Sequence, residues 1–169
     1  MPEPRRRRRP GSRWIRGVVA CALALSVAGC SADPPEIRSS SDLSDTDAAA
    51  CRALVADLPD TVAGQSSVEV SGDTAYGAAW GDPAIVLTCG VPALDLTDSP
   101  GCSVVDGIGW LVPPDETSGD VDATFTADGY RPRVQLLVPQ DYLPEGGAAA
   151  LAELAGPLKP HLRKVESCV

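Results

Sequence analysis

Cys30 is the residue whose type and setting most directly indicate chemistry. It follows Leu25-Ser26-Val27-Ala28-Gly29, a run of small and apolar residues at the end of a short apolar stretch. This pattern is typical of a lipobox, in which the chain is cleaved after Gly29 and the Cys30 thiol receives a diacylglyceryl group. The pattern therefore predicts a palmitate-bearing lipoprotein held on the outer face of the cytoplasmic membrane.

The first 29 residues have the layout of a secretory signal peptide. Arg5–Arg9, Arg13 and Arg16 form a positive head, and Ile15–Gly29 is mainly apolar. A membrane-spanning helix needs about 20 apolar residues, so a stretch of about 15 fits a cleaved signal better than a permanent anchor. Two alternatives stay open. One is an uncleaved signal anchor, and the other is ordinary signal-peptidase cleavage after Val27-Ala28-Gly29, which would release a soluble form.

The charge of the processed chain limits its partners. Removing residues 1–29 takes away seven arginines and one glutamate, which leaves seven basic and 22 acidic residues and a net charge of −15. A chain of this charge is repelled by nucleic acid, so nucleic-acid binding is not expected. The acidic residues show no calcium-loop spacing, and we predict neither a metal nor a cofactor. A weak cation site at Asp115, Glu116, Asp120 and Asp122 is the less favoured interpretation.

Four cysteines remain after removal of Cys21 with the signal and assignment of Cys30 to lipidation. An even number of cysteines in an exported chain predicts disulfides, and four cysteines allow three pairings. We favour Cys51–Cys168, because both continue the apolar faces of terminal helices, and Cys89–Cys102, which would close a loop rich in turn residues. A zinc site is disfavoured because the chain has no C-x-x-C and only one histidine.

Common catalytic motifs are missing from the sequence. It contains no G-x-S-x-G, no S-x-x-K and no phosphate-binding loop. His161 lies between Lys159 and Arg163, where a solvated histidine at a helix end is the simpler interpretation. Glycosidase chemistry needs only two placed carboxylates, so an envelope glycan hydrolase is kept as the alternative to a protein without catalytic activity.

Two short segments combine aromatic and charged residues. Trp80 and Asp82 lie in a predicted turn before Pro83, and Arg131 lies in Tyr130-Arg131-Pro132-Arg133. One hypothesis is that Trp80, Asp82, Trp110 and Arg131 line a groove for a sugar or a peptide. The structural alternative is that both tryptophans fill the core and that the charged residues satisfy their own turns.

Hydrophobic periodicity predicts an α+β domain. Apolar residues three and four apart indicate a helix over 47–58, capped by Asp45 or Asp47. A second helix is predicted over 145–165, interrupted near Gly156-Pro157 and Pro160, with Val165 in its apolar stripe. Between them, Gly and Pro clusters separate short runs typical of strands. These runs are 67–71, 75–80, 84–89, 103–105, 109–112, 123–127 and 133–138. The expected fold is a mainly antiparallel sheet flanked by an N-terminal and a C-terminal helix and stapled by disulfides.

Residues 45–169 form one domain in this prediction, and residues 30–44 form the lipidated cysteine and a flexible linker.

Four segments of the chain resemble a known family. They are the cysteine-bearing first helix, the run from Ala79-Trp80-Gly81-Asp82-Pro83 to Cys89-Gly90-Val91-Pro92, Gly107-Ile108-Gly109-Trp110, and Phe125-Thr126 through Val138-Pro139. The chain resembles the domain of unknown function 3515 family of actinobacterial envelope proteins, most strongly in the run from Ala79 to Pro92. The likeness covers about Cys51 to Leu162. It implies an exported protein with an N-terminal membrane segment or lipobox, and it implies no particular activity, cofactor or catalytic residue.

These features together predict a lipid-anchored cell-envelope protein without catalytic activity. Its expected role is to bind or scaffold a cell-wall component or a partner protein. The alternative remains a glycan hydrolase with paired carboxylates.

Overall fold

The computed structural model describes residues 33–40, 42–94, 101–112 and 114–167. The predicted signal peptide, Cys30 and Cys168 lie outside the described residues. From Asp33 onward the chain forms one compact unit. Within the described ranges, no helix combines the length and the apolar character needed to cross a bilayer.

An antiparallel sheet and two helices make up the unit, so the predicted α+β class is confirmed. The helices are α1 (Asp45–Ala56) and α2 (Glu145–Leu158). The strands are β1 (Glu36–Ile37), β2 (Thr61–Val62), β3 (Gln65–Val68), β4 (Ser71–Gly72), β5 (Gly77–Trp80), β6 (Ile85–Cys89), β7 (Gly101–Val105), β8 (Ile108–Val112), β9 (Ala123–Thr126), β10 (Tyr130–Arg131), β11 (Val134–Val138) and β12 (Arg163–Lys164).

The main sheet of the described part has eight strands in the order β2-β3-β5-β6-β11-β9-β8-β7. All of its neighbouring strands are antiparallel. β11 lies near the centre of the sheet, between β6 and β9. It therefore joins the β5–β6 hairpin to the β7–β8–β9 meander. The β7–β8 hairpin turns tightly at Asp106-Gly107, where both residues have positive φ, the requirement of the favoured two-residue hairpin turn.

One face of the sheet carries the core. Burial alternates along β6 and β11, so that Leu87 and Leu136, which are register partners, are fully buried and their neighbours are half-buried. Period-two burial is the mark of a sheet covered on one face by helices. Leu54 of α1 and Leu154 of α2 belong to the same buried cluster, so both helices pack on this face.

The first helix begins at Asp45, and its N-cap precedes both predicted caps. Ser44 is the N-cap, because its hydroxyl accepts a hydrogen bond from the Asp47 backbone N–H at 3.1 Å. The prediction of Asp45 or Asp47 as the cap was therefore wrong, and both acids instead lie in the first turn, where the helix dipole favours negative charge. The helix ends at Ala56, three residues before Pro59.

The second helix is shorter than predicted. It ends at Leu158, and the chain then turns so that β12 pairs with β10. This end agrees with the interruption predicted at Pro160, because proline disfavours the helical conformation in the residue before it. The interruption predicted at Gly156-Pro157 was wrong, since α2 runs through both residues. Val165, which the prediction placed in the apolar stripe of this helix, is 43% exposed. His161 lies just past the helix, with its Nε2 2.6 Å from an Asp57 carboxylate oxygen after α1.

The predicted disulfide pairing was wrong. Cys51 of α1 is bonded to Cys89 at the end of β6, and both residues are fully buried. The buried face of α1 points at the sheet and brings the two Cα atoms within 5.5 Å, whereas the prediction had directed Cys51 at the last helix. Cys102 on β7 is disulfide-bonded as well.

The predicted flexible linker was wrong over residues 33–40, which we name the strap. β1 of the strap pairs with β4, and Ile37 is only 1% exposed. Ile37 packs on Gly77, on the sheet face opposite to the helices, because a side chain at Gly77 would point into the Ile37 methyl groups. One buried isoleucine within a polar stretch was too little apolar content to signal docking in the sequence.

Gly77→Ala is expected to lower the free energy of unfolding by roughly 1–3 kcal/mol, the usual cost of overpacking. A Cβ at this position would lie 2.4 Å from the Leu87 carbonyl oxygen and 2.7 Å from Ile37 Cδ1, so backbone would have to move. Chemical denaturation measures the change. Gly156→Ala is the control, since nothing lies within 4 Å of its Cβ and the same substitution in a helix should stabilise by about 0.5–1 kcal/mol. Equal effects of the two variants would contradict the packing of the strap.

Docking of the strap on the domain is also expected to depend on pH, through the Asp73 carboxyl. Hydrogen bonds from the backbone N–H and the hydroxyl of Ser39 lower the pKa of the Asp73 carboxyl. A lowered pKa stabilises the folded form above the unfolded pKa, and this stabilisation is lost as pH falls below about 4. Hydrogen-exchange protection of the Ser39 amide should therefore be retained at about pH 5 and decrease as the pH falls below about 4, and Asp73→Asn should abolish that decrease. An unchanged pH dependence in Asp73→Asn would contradict this role.

Candidate functional site

Trp80 is a core residue at the end of β5. It is 1% exposed, and its indole N–H donates a hydrogen bond to the Pro59 carbonyl at 2.9 Å. This bond ties the loop after α1 to the sheet. Its ring is therefore enclosed by the fold and is not presented to a ligand.

Trp110 is buried in the same way. It lies on β8 with its side chain fully buried, in the cluster that includes Tyr130 and Ile108. The Tyr130 hydroxyl donates to the Gly107 carbonyl at 3.1 Å, which fixes the nearby hairpin. Both tryptophans thus have the structural role that the sequence left as an alternative.

Asp82 and Arg131 lie at opposite ends of β6. Asp82 is exposed in the turn that leads into β6, whereas Cys89 at the other end pairs with Val134, close to Arg131. A five-residue strand separates its ends by about 13 Å. The predicted groove of Trp80, Asp82, Trp110 and Arg131 is therefore not formed, because two members are in the core and the other two are far apart.

Arg131 holds the turn from which it projects. Its Nη1 donates hydrogen bonds to the carbonyls of Asp128, at 2.8 Å, and Tyr130, at 2.6 Å. These two bonds use both hydrogens of Nη1, and no described residue accepts from the other three N–H groups of the guanidinium. The side chain is half-buried, so it is positioned firmly while part of it still faces solvent.

Arg133 forms a largely buried ion pair in the same corner. Its Nε lies 2.7 Å from an Asp128 carboxylate oxygen, and the two side chains are 19% and 13% exposed. The Arg133 carbonyl also accepts a hydrogen bond from Gly90 N–H, at 2.7 Å. The Asp128 carboxylate lies close to the Nε of Arg133. The guanidinium groups of Arg131 and Arg133 therefore have one close acidic partner between them.

A cavity of about 380 Å³ opens at this position, which we name the arginine corner. Three parts of the chain line it, namely the segment before α1 with its first turn, the exit of β6, and the β10–β11 connection. The residues are Ser40, Asp42, Leu43, Asp47, Gly90, Val91, Pro92, Ala93, Arg131, Pro132 and Arg133. The lining therefore includes two arginines, Arg131 and Arg133, and two aspartates, Asp42 and Asp47.

The arginine corner suits a ligand that carries a carboxylate. A guanidinium presents paired N–H donors in a fork that matches the two oxygens of a carboxylate. Asp42 and Asp47 across the cavity can accept hydrogen bonds from an ammonium or amide group of the same ligand. This donor and acceptor set is complementary to a peptide, which carries both kinds of group.

The sequence pointed to only part of this corner. Arg131 was predicted, and Arg133 was recognisable from its place in Tyr130-Arg131-Pro132-Arg133. Asp42 carried no signal, because it belongs to the stretch interpreted as linker. Asp47 was interpreted only as a possible helix cap.

Other cavities lie elsewhere on the sheet and have a different character. One of about 340 Å³ between β7–β9 and the start of α2 is mainly apolar, with Phe125 and Leu151 in its wall. Another, of about 420 Å³, lies under the strap beside Val86 and Leu137. Among the described residues, no group of three or more His, Cys, Asp or Glu is arranged to hold a metal ion.

Comparison with known proteins gives one match. The family model described as "Protein of unknown function (DUF3515)" matches residues 14–167. No curated protein and no solved structure is similar enough to count as a relative. The matched range includes the helices, the sheet and the arginine corner. The chain therefore belongs to the DUF3515 family of proteins of unknown function.

Proposed function

We propose that this protein is a lipid-anchored component of the cell envelope that binds a peptide-like ligand without catalysing a reaction. Export would remove residues 1–29 and leave an acylated Cys30 as the first residue. The lipobox-like run before Cys30 supports this. The buried Cys51–Cys89 bridge supports it independently, because structural disulfides persist in oxidising compartments outside the cytosol.

The arginine corner is the observation that carries the binding role. The processed chain has only seven basic residues against 22 acidic ones, and two of the seven line a single cavity. Because Arg131 and Arg133 share this cavity with Asp42 and Asp47, it favours a small ligand that carries both an anionic group and hydrogen-bond donors over an extended anionic polymer, which the rest of the surface repels. Peptides of the cell wall and of envelope proteins end in such carboxylates, so they are the proposed class of ligand.

Lipidation can be tested on the full chain expressed in a bacterium with a lipoprotein pathway. Intact mass should show a diacylglyceryl group on a chain that begins at Cys30, and labelled palmitate should be incorporated. Cys30→Ser should leave an unprocessed precursor without label. A wild-type product that still begins at Met1, or an unacylated one cleaved after Gly29, would contradict the proposal.

Binding can be tested by calorimetry with muropeptides whose terminal carboxylate is either free or amidated. The free acid should bind more tightly, and Arg131→Gln should weaken its binding about 10- to 100-fold, the range for a hydrogen bond to a charged group. Arg52→Gln is the matched control, because Arg52 is exposed and contacts Tyr76 away from the cavity. Equal affinities of the two variants, at equal stability, would exclude the arginine corner.

Incubation with intact peptidoglycan strands separates the hydrolase alternative. Chromatography should then show no new soluble fragments. Release of cleaved glycan by the wild type would instead favour a hydrolase with paired carboxylates.

A further inference from the structure

We propose that the strap turns the Cys30 lipid anchor into a short, rigid mount that holds the domain on a lipid surface in one orientation. This inference rests on the proposed lipidation. Beyond that function, it specifies which side of the domain lies next to the lipid and in which direction the arginine corner faces.

The strap is bonded to the domain along most of its length. At its start, Ser71 donates from its backbone N–H to the Pro35 carbonyl, at 2.9 Å, and from its hydroxyl to the Pro34 carbonyl, at 3.1 Å. At its end, Ser40 N–H donates to the Gly90 carbonyl at 2.7 Å. Between these points lies the buried side chain of Ile37. Residues 34–40 therefore follow a fixed path and cannot act as coil.

Very little chain is left to act as a tether. Only Ser31 and Ala32 lie between Cys30 and Asp33 in the sequence. At most about 3.6 Å is spanned per residue, so the Cα atoms of Cys30 and Asp33 can be separated by no more than roughly 11 Å. A flexible 14-residue linker would have a typical span of roughly 20 Å and would let the domain turn freely.

The course of the strap sets the orientation. Its first residues pair with β4, so the edge of the domain at Ser71 and Gly72 would lie next to the lipid. Its last residue reaches Gly90, at the arginine corner. Five residues lie between Pro34 and Ser40, which allows at most roughly 20 Å between the two sites. The net charge of −15 opposes contact of the remaining surface with anionic lipid, so the arginine corner would face away from the bilayer and toward its ligand.

Energy transfer to a lipid-linked acceptor tests the orientation. The full lipidated protein is placed in phosphatidylglycerol–phosphatidylcholine vesicles, with a donor fluorophore introduced by codon suppression at either Glu69 or Ala93, both exposed. Glu69 is near β4 and Ala93 lines the arginine corner, so transfer should be greater from position 69. Insertion of about twelve Gly-Ser residues between Ala32 and Asp33 should remove this difference, because it restores a flexible tether. Equal transfer from both positions at native length, or greater transfer from position 93, would overturn the proposal.

Two further measurements separate failure of this inference from failure of lipidation. Intact mass of the same samples reports acylation at Cys30, and an unacylated product would refute the proposed function and this inference together. An acylated product with equal transfer refutes only the orientation. Hydrogen exchange tests the docking of the strap in the absence of lipid. The Ser40 amide should be protected, and exchange at the rate of an unfolded chain would overturn the proposal that the strap is rigid.

Discussion

Replacing both Cys51 and Cys89 with alanine is expected to lower the free energy of unfolding by about 4 kcal/mol. The two cysteines are 38 residues apart, and the chain-entropy relation for a cross-link closing a loop of this length gives about 4 kcal/mol. Both sulfurs lie in the core between α1 and β6, so their loss also removes packing between the helix and the sheet. Urea denaturation of the oxidised wild type and of the double variant measures the difference.

A peptide map under non-reducing conditions provides the control for this prediction. It should recover Cys51 and Cys89 in one cross-linked peptide and Cys102 in a separate one. Recovery of Cys89 linked to Cys102 would contradict the arrangement of α1 on the sheet. A double variant as stable as the wild type would show that the bridge does not constrain the fold.

Trp80→Ala is expected to destabilise the domain by roughly 3–5 kcal/mol, the usual effect of truncating a buried tryptophan. The indole fills space beneath the loop after α1, and its N–H satisfies the Pro59 carbonyl. Trp80→Phe keeps most of the apolar contact but leaves that carbonyl without its partner, so we expect an intermediate loss of roughly 1–3 kcal/mol. Thermal and chemical unfolding measure both variants.

The Trp80 variants also distinguish a core residue from a ligand-contacting one. Val104→Ala is the control, since Val104 is 67% exposed and should change stability by less than about 0.5 kcal/mol. Ligand affinity of the folded Trp80→Phe variant should match that of the wild type. Reduced affinity at unchanged stability would show that Trp80 lines a binding groove after all.

The longer central strands were predicted with small errors because their signals are local. The predicted run 67–71 was wrong, since it covers only the end of β3 and the start of β4, and the two-residue strands β1, β2, β10 and β12 were not predicted. The predicted run 84–89 became β6 at Ile85–Cys89, and 133–138 became β11 at Val134–Val138. In both, the turn residues that bound the run are adjacent in the chain, and the burial alternates with period two. The order of strands carried no such local signal. Pairing of β11 with β6 depends on contacts between residues that are more than forty positions apart in the chain.

The candidate site was only partly predictable, because residue type does not say which way a side chain faces. Trp80 and Arg131 were equally plausible ligand contacts in the sequence. Burial separates them, since Trp80 is enclosed and Arg131 keeps N–H groups at a cavity. Asp42 joins that cavity only because the segment before α1 folds back on the exit of β6, with Leu43 packed against Gly90.

Local patterning was sufficient for the α+β class and the acidic character of the chain, and the export signal before Cys30 stays a prediction from the same kind of pattern. These properties depend on composition and on spacings of a few residues, which any conformation of the chain preserves. The partner of Cys51, the docking of Ile37 on Gly77 and the assembly of the arginine corner were decided by the tertiary fold. Each of them needs residues that are distant in sequence to meet, and the meeting point is set by how the helices and the strap pack on the two faces of one sheet.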